Sequence, residues 1–167
     1  MTPTLLAIPI LGSLLILQTA VFSQLPLLRG TTDLVMVAII AWSLQKSVKT
    51  AWQWGIIGGL LVSLSTALPF GLPIIGYLLV VGMTLLLRQR VWQVPILAMF
   101  VATFLGTLIT QALTVFVLRF TGTPLAWLES VNMITLPSML LNLVVAIPAY
   151  ALLGDLARWL YPEELVV

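Results

Sequence analysis

The chain has neither cysteine nor histidine, and charged residues fill only 7% of its 167 positions. The usual protein ligands of zinc and haem are therefore missing, as are thiol nucleophiles and disulfides. A net charge of only +2 provides no basic surface for nucleic acid. We expect no bound cofactor, no metal site and no nucleic-acid partner.

Apolar sequence is abundant instead. Hydrophobic residues make up 61% of the chain, and the mean hydropathy is +1.19, whereas roughly a quarter of the residues in a soluble domain are charged. The apolar runs are too numerous for one buried core, so the sequence predicts an all-α polytopic membrane protein with residues 1–167 forming a single membrane domain. No long polar stretch is present, and the amino terminus is interpreted as a retained first span because it lacks the basic start of a signal peptide.

Six transmembrane spans are predicted, at about residues 5–22, 34–48, 54–68, 73–87, 91–118 and 137–160. If both termini are cytoplasmic, five basic residues lie on the cytoplasmic side, which satisfies the positive-inside rule. These are Lys46, Lys49, Arg88, Arg90 and Arg158. The segment 121–135 contains Pro124 and Trp127 and predicts either a short interfacial helix or an ordered loop.

Catalysis and ion-coupled transport have little support in the sequence. It contains no Walker loop, no serine-nucleophile elbow and no pair of carboxylates. No charged residue falls near the middle of a predicted span, where a proton-coupled carrier normally has one. We therefore expect a protein that acts by contact and is not an enzyme.

Small residues recur every four positions on two of the predicted spans. Such stripes let helix backbones approach closely in lipid, where apolar side chains alone give helices little reason to associate. They predict either packing inside the bundle or contact with a partner helix. The third span carries Gly55, Gly59, Ser63 and Ala67, and the fifth carries Ala102, Gly106 and Thr110.

The last span, LPSMLLNLVVAIPAYALLGDL, combines an amide with two prolines. Pro137 falls in the first turn, whereas Pro148 removes the N–H that would bond the carbonyl of Val144, so a kink is expected. Asn142 needs a hydrogen-bond partner away from lipid. The segment is therefore predicted to be an interior helix, with one side against other helices or a partner.

Other polar residues have two interpretations that the sequence does not separate. Gln18, Gln111 and Ser63 are each expected either to form one interhelical hydrogen bond or to line a binding cavity. Asp33 precedes the second span and is predicted to cap that helix. Asp155 and Arg158 are one turn apart and predict an ion pair near the cytoplasmic surface.

Several of these segments together resemble the MreD family, the integral membrane component of the bacterial rod-shape system. LQTAVFSQLPLLRGTTDLVMVAII is similar to the end of that family's first span and the opening of its second. WQWGIIGGLLVSLSTALPFGLPIIGYLL resembles its glycine-rich third span and the turn into the fourth. LPSMLLNLVVAIPAYALL matches its last span through Pro137, Ser138, Asn142 and Pro148.

Two positions depart from the family pattern. Thr32 stands where the family has a proline before the aspartate Asp33, and Ser63 stands where many members have an aspartate. If that aspartate has a role in the family, this chain lacks the role or fulfils it differently.

The resemblance implies a six-helix fold like that of the substrate-binding S-components of energy-coupling-factor transporters. It implies a non-enzymatic scaffold in the bacterial cytoplasmic membrane that binds MreC, a single-pass periplasmic scaffold. MreB, a SEDS-family glycosyltransferase and a class B penicillin-binding protein are the implied further partners. A groove for the MreC helix is expected on the outside of the bundle, along the two small-residue stripes.

Two alternatives remain open. A vitamin-binding S-component would share the fold and need a polar pocket. The candidate lining residues of such a pocket are Gln18, Gln111, Asn142 and Trp127. A small accessory subunit of a photosynthetic or respiratory complex is the other, although the lack of histidine argues against its holding pigment or haem itself.

Overall fold

The computed structural model describes residues 2–20, 31–90, 94–122 and 134–162. These residues form seven α-helices, of which the first is a single turn followed closely by the second. They are α1 Thr2–Leu5, α2 Ala7–Ala20, α3 Leu34–Leu44, α4 Ala51–Ser65, α5 Leu72–Arg90, α6 Pro95–Phe120 and α7 Leu136–Leu160.

Helix α3 is the centre of the bundle. All eleven of its residues are buried, and it packs against α2, α4, α5, α6 and α7. Its sequence, LVMVAIIAWSL, is apolar on every side, as a fully surrounded helix requires. At 1.5 Å per residue it extends only about 16 Å, roughly half the thickness of a bilayer's hydrocarbon core.

The described residues have the character of an α-helical membrane protein, as the sequence predicted. Four segments are long and apolar enough to cross a bilayer: Pro3–Ala20, Leu72–Gln89, Pro95–Phe120 and Leu136–Leu160. The helices α3 and α4 are shorter, with 11 and 15 residues. Large apolar side chains are exposed on the outside of the bundle, among them Leu64 at 76% and Phe120 at 78%.

Helix α4 differs from the span predicted at 54–68. It begins at Ala51 and ends at Ser65, where the N–H of Thr66 makes the closing bond to the carbonyl of Val62. Ala67 therefore lies beyond the helix and is exposed. Its assignment to the Gly55, Gly59 and Ser63 stripe is corrected, because the chain turns before reaching Pro69 and residue 67 leaves the helical register.

The small-residue stripes face the interior of the bundle. A Cβ atom on Gly59 would lie 2.6 Å from the Cα of Ile74 in α5, and one on Gly106 would lie 3.0 Å from Cδ1 of Ile40 in α3. The first distance is shorter than real Cβ contacts and the second would require Ile40 to shift, so these glycines permit close packing of this chain's own helices.

The remaining stripe residues agree with that arrangement. A Cβ atom added at Gly55 would lie 3.0 Å from the side chain of Val81. Ala102 is completely buried. Thr110 contacts the sulfur of Met36 at 3.7 Å. The expectation of an outer groove along these stripes is thus corrected, because α3 and α5 already occupy these faces.

An aromatic group surrounds the carboxyl end of α3. Trp42 stacks on Trp54 with ring centroids 4.3 Å apart. The indole N–H of Trp54 donates to the carbonyl of Pro3 at 3.0 Å, and that of Trp42 donates to the hydroxyl of Thr50 at 3.2 Å. These contacts connect α1, α3 and α4 at the end where the basic residues lie.

Candidate functional site

The amino end of α3 collects polar side chains from four other helices, in addition to Asp33, which directly precedes α3. The first N–H groups of any helix lack partners within it, and burial makes an unpaired N–H costly. Asp33 caps this end, because its Oδ1 accepts a hydrogen bond of 2.9 Å from the N–H of Met36. The hydroxyl of Tyr77, from α5, donates to both carboxylate oxygens at 2.8 and 2.9 Å.

Three N–H groups that precede the N–H of Met36 are bonded by side chains of other helices. Gln18 of α2 accepts from Leu34 at 2.9 Å through Oε1. Asn142 of α7 accepts from the N–H of Asp33 at 2.8 Å through Oδ1. The hydroxyl of Ser138, also in α7, accepts from the N–H of Thr31 at 2.9 Å.

Asn142 extends this network to α6. Its Nδ2 donates to the hydroxyl of Thr107 at 3.0 Å, and that hydroxyl donates to the carbonyl of Thr103 at 2.8 Å. Asn142 and Thr107 are each only 1% exposed, and Ser138 is fully buried. Interhelical hydrogen bonds of this kind contribute about 0.6–2 kcal/mol each in a bilayer.

We refer to this set of side chains as the α3 junction. It consists of Gln18, Asp33, Tyr77, Thr107, Ser138 and Asn142.

The opposite end of α3 is bound by one guanidinium group. Nη1 of Arg88 donates to the carbonyls of Ser43, Gln45 and Val48 at 3.1, 2.9 and 3.2 Å. A carboxylate at the amino end and a guanidinium at the carboxyl end both complement the helix dipole. The short central helix therefore has a charged partner at each end.

A small cleft of about 80 Å³ lies beside the junction. Asp33, Tyr77, Thr110 and Thr114 are its polar lining residues, but both threonine hydroxyls donate to carbonyls of their own helix. Sites for drug-sized ligands occupy roughly 300–1,000 Å³. Among the described residues no group of three or more metal-binding side chains occurs.

Three of the residues that carry the family resemblance meet at the junction. Asp33, Ser138 and Asn142 are brought together although more than 100 positions separate the first from the others. Pro137 lies in the first turn of α7 beside Ser138. Ser63 lies elsewhere, on α4, where it is buried and its hydroxyl has no hydrogen-bond partner among the described residues.

Other residues singled out from the sequence lie apart from the junction. Pro148 is on the exposed side of α7, and Gln111 is half-buried on α6. Asp155 and Arg158 form an exposed ion pair one turn apart, as expected. Trp127 and the interfacial helix expected at 121–135 fall largely outside the described residues.

Sequence reasoning missed Tyr77 and Thr107. Tyr77 had a detectable signal, because it is a tyrosine inside an otherwise apolar span and a buried phenol needs a hydrogen-bond partner. Thr107 had none, since threonine in a membrane helix commonly bonds to its own backbone.

Comparison of the chain with protein-family models, curated proteins and solved structures gave no match. The functional proposal therefore depends on the sequence motifs and on the geometry of the α3 junction.

Proposed function

We propose that this protein is a non-enzymatic membrane scaffold of the cell-wall elongation machinery, of the MreD type. In this proposal it crosses the bacterial cytoplasmic membrane six times in an S-component-like fold, with both termini in the cytoplasm. It binds MreC and, through the complex, helps to organise MreB, a SEDS glycosyltransferase and a class B penicillin-binding protein.

The observation that carries the proposal is the meeting of motif residues at one place. Asp33 comes from the opening of the second predicted span, and Ser138 and Asn142 come from the last. Direct bonds of 2.8 and 2.9 Å between their segments make the motifs one structural unit.

The chemistry of that unit suits a scaffold. Its carboxylate, amide and hydroxyl groups bond to backbone N–H groups and to one another, which fixes the register of four helices around α3. A rigid bundle presents its outer faces in a constant arrangement, and a protein that works by contact depends on that constancy.

The vitamin-binding alternative has less support. Two of the four residues it would use, Gln18 and Asn142, bond to backbone N–H groups of residues 33 and 34. The cleft next to them, at about 80 Å³, holds a few atoms rather than a vitamin.

The proposal is tested by producing the tagged protein together with the MreC of the same organism and purifying it in mild detergent. We expect MreC to be retained in stoichiometric amount through gel filtration. A matched sample in which MreC lacks its transmembrane helix tests whether the membrane segment is required. Loss of MreC at the first wash, with an ATPase pair recovered from native membranes instead, would replace the scaffold by the transporter subunit.

A further inference from the structure

An open groove of about 820 Å³ runs along the outside of α5. Its apolar walls are Leu78, Leu79, Met83 and Leu86 of α5, with Ile109 of α6. The groove shares no lining residue with the α3 junction, so the hydrogen-bond network described above does not account for it.

The indole of Trp52, in α4, forms a wall of this groove. A Cβ atom added at Gly82 would lie 3.3 Å from Cη2 of Trp52, so the ring rests close to the backbone of α5. Trp52 is nevertheless 47% exposed. A tryptophan ring with one side against protein and the other open suits the headgroup layer of a bilayer, where its apolar body and its N–H both find partners.

The polar side chains of the groove lie at one end of it. Trp52 and Gln89 line the groove where α4 begins and where α5 approaches its last residue, Arg90. Lys49, three positions before Trp52, is exposed. The ammonium, the indole N–H and the amide N–H are all hydrogen-bond donors, and none of them is bonded to an acceptor within the described residues. This end of the groove therefore presents free donors.

The same end of the bundle carries uncompensated positive charge. Arg88 binds the carbonyl of Val48, next to Lys49. The described residues contain two carboxylate side chains: Asp33 lies at the amino end of α3, and Asp155 is paired with Arg158. Neither neutralises Lys49, so the occupant that complements this end is an anion.

The apolar part of the groove is about as long as one leaflet is deep. Leu78 and Gln89 are eleven positions apart on α5, which corresponds to about 16 Å along the helix axis. The hydrocarbon of one leaflet, half of the bilayer core, is about 15 Å thick. Apolar walls through one leaflet, with donors at the leaflet surface, match the profile of a phospholipid with an anionic headgroup.

Other occupants complement the groove less well. Two copies of this chain that are inserted in the same orientation and docked by this face would bring Lys49 against Lys49, which is repulsive. The transmembrane helix of another protein covers apolar walls equally well. Its backbone carbonyls are already bonded within the helix, however, so its backbone supplies no acceptor to the free donors.

We propose that the groove is a binding site for an anionic phospholipid. One acyl chain lies along Leu79 and Met83, and the phosphate accepts hydrogen bonds from Lys49, from the indole of Trp52 and from the amide of Gln89. Basic pockets between transmembrane helices bind anionic headgroups in this way. The inference goes beyond the proposed scaffold function and does not depend on it.

The test is native mass spectrometry of the delipidated protein in detergent, titrated with dioleoyl phosphatidylglycerol or with dioleoyl phosphatidylcholine. The two lipids have the same acyl chains and differ in net charge. We expect phosphatidylglycerol to bind about fivefold to tenfold more tightly, since one basic side chain near the membrane surface contributes about fivefold. Equal affinities, or no binding of either lipid, would overturn the proposal.

Lys49→Gln tests the anionic end of the site. It should weaken phosphatidylglycerol binding about fivefold and leave phosphatidylcholine binding unchanged. Arg158→Gln is the matched control, because it removes the same charge on α7, which does not line the groove. An equal loss in the two variants would assign the preference to general surface charge and refute the site.

Leu79→Trp tests the apolar part, because the larger ring fills the groove. It should weaken the binding of both lipids at least tenfold, whereas Leu140→Trp, at a 65% exposed position of α7, should leave binding unchanged. Gel filtration and thermal unfolding establish that each variant is folded. Unchanged lipid binding by folded Leu79→Trp protein would show that the lipid binds elsewhere.

A final arm uses the absence of native cysteine. Leu79→Cys should remain monomeric under oxidising conditions in nanodiscs of phosphatidylglycerol, because lipid covers the groove. A disulfide-linked dimer would assign the groove to a second copy of the chain and overturn the proposal.

Discussion

At the scale of single residues, the buried polar side chains of the α3 junction bond mostly to backbone atoms. Gln18, Asn142 and Ser138 each accept from an N–H of residues 31–34, and Asp33 accepts from Met36. A helix end placed inside a bundle in lipid has no water to satisfy it, so side chains from neighbouring helices must do so. Polar residues are retained in this apolar interior because the backbone requires them.

Asn142 is the residue at which this requirement is most directly testable. We expect Asn142→Leu to lower the free energy of unfolding by about 2–4 kcal/mol. The substitution removes two interhelical bonds and leaves the N–H of Asp33 buried without a partner. The measurement is thermal or denaturant unfolding of the purified protein in one detergent.

Gln111→Leu is the matched control, because Gln111 is half-buried on α6 and lies outside the junction. It should change stability by much less than Asn142→Leu. Equal effects of the two substitutions would mean that burying an amide, rather than completing the junction, determines the cost.

At the scale of the element, α3 depends on both of its ends. An isolated helix of eleven residues is marginal even in water, and this one is held by a carboxylate at one end and a guanidinium at the other. Its apolar surface explains why it is buried, whereas the capping groups explain where it begins and ends.

Arg88→Ala tests the carboxyl end of α3. We expect a loss of about 1–3 kcal/mol of unfolding free energy, because three carbonyls lose a charged donor. Thermal or denaturant unfolding in detergent measures this loss of unfolding free energy. Arg158→Ala is the control, because both side chains of the Arg158–Asp155 ion pair are exposed. Exposed ion pairs contribute at most about 1 kcal/mol to stability. A control as damaging as Arg88→Ala would show that loss of positive charge alone is responsible.

Gly59→Ala tests the contact between α4 and α5. The new Cβ would lie 2.6 Å from the Cα of Ile74, so the two backbones must separate, at a cost of about 1–3 kcal/mol. Gly12→Ala in α2 is the matched control, because a Cβ there meets nothing within 4 Å. It should be neutral or stabilising by up to about 1 kcal/mol through helix propensity. Unfolding of the two variants side by side measures both effects, and a stable Gly59→Ala protein would contradict the close packing.

At the scale of the whole molecule, the fit of the bundle to a bilayer is governed by its short helices. Helix α4, with 15 residues, extends about 22 Å, which is less than the roughly 30 Å of the hydrocarbon core. A bundle that combines long and short helices can thin the bilayer around it or hold some loops below the surface. Which of these two arrangements the protein adopts decides how many times the chain crosses the membrane.

Single-cysteine labelling measures the number of crossings, and the cysteine-free chain needs no background substitutions. We expect Lys49→Cys, before α4, to react with an impermeant maleimide only from the cytoplasmic side. Phe70→Cys, after α4 and 70% exposed, should react only from the outside. Labelling of both positions from the same side would show that α4 does not cross, which would remove the six-span arrangement.

Much of this protein followed from its sequence alone. The apolar composition determined that the chain is a helical membrane protein, because no soluble core accommodates so many hydrophobic runs. The positions of Asp33 and Asn142 indicated a helix cap and a sheltered amide, since a carboxylate before an apolar run and an amide within one each have few acceptable environments.

Tertiary structure alone decided which helices these groups join and which faces remain free. The small-residue stripes are equally compatible with an internal contact and with a partner's helix, and only the packing of α3 and α5 against them assigned them to the interior. Likewise, nothing local distinguishes Pro148 facing protein from Pro148 facing outward. Local sequence indicates what each residue needs, whereas the three-dimensional arrangement determines which neighbour supplies it.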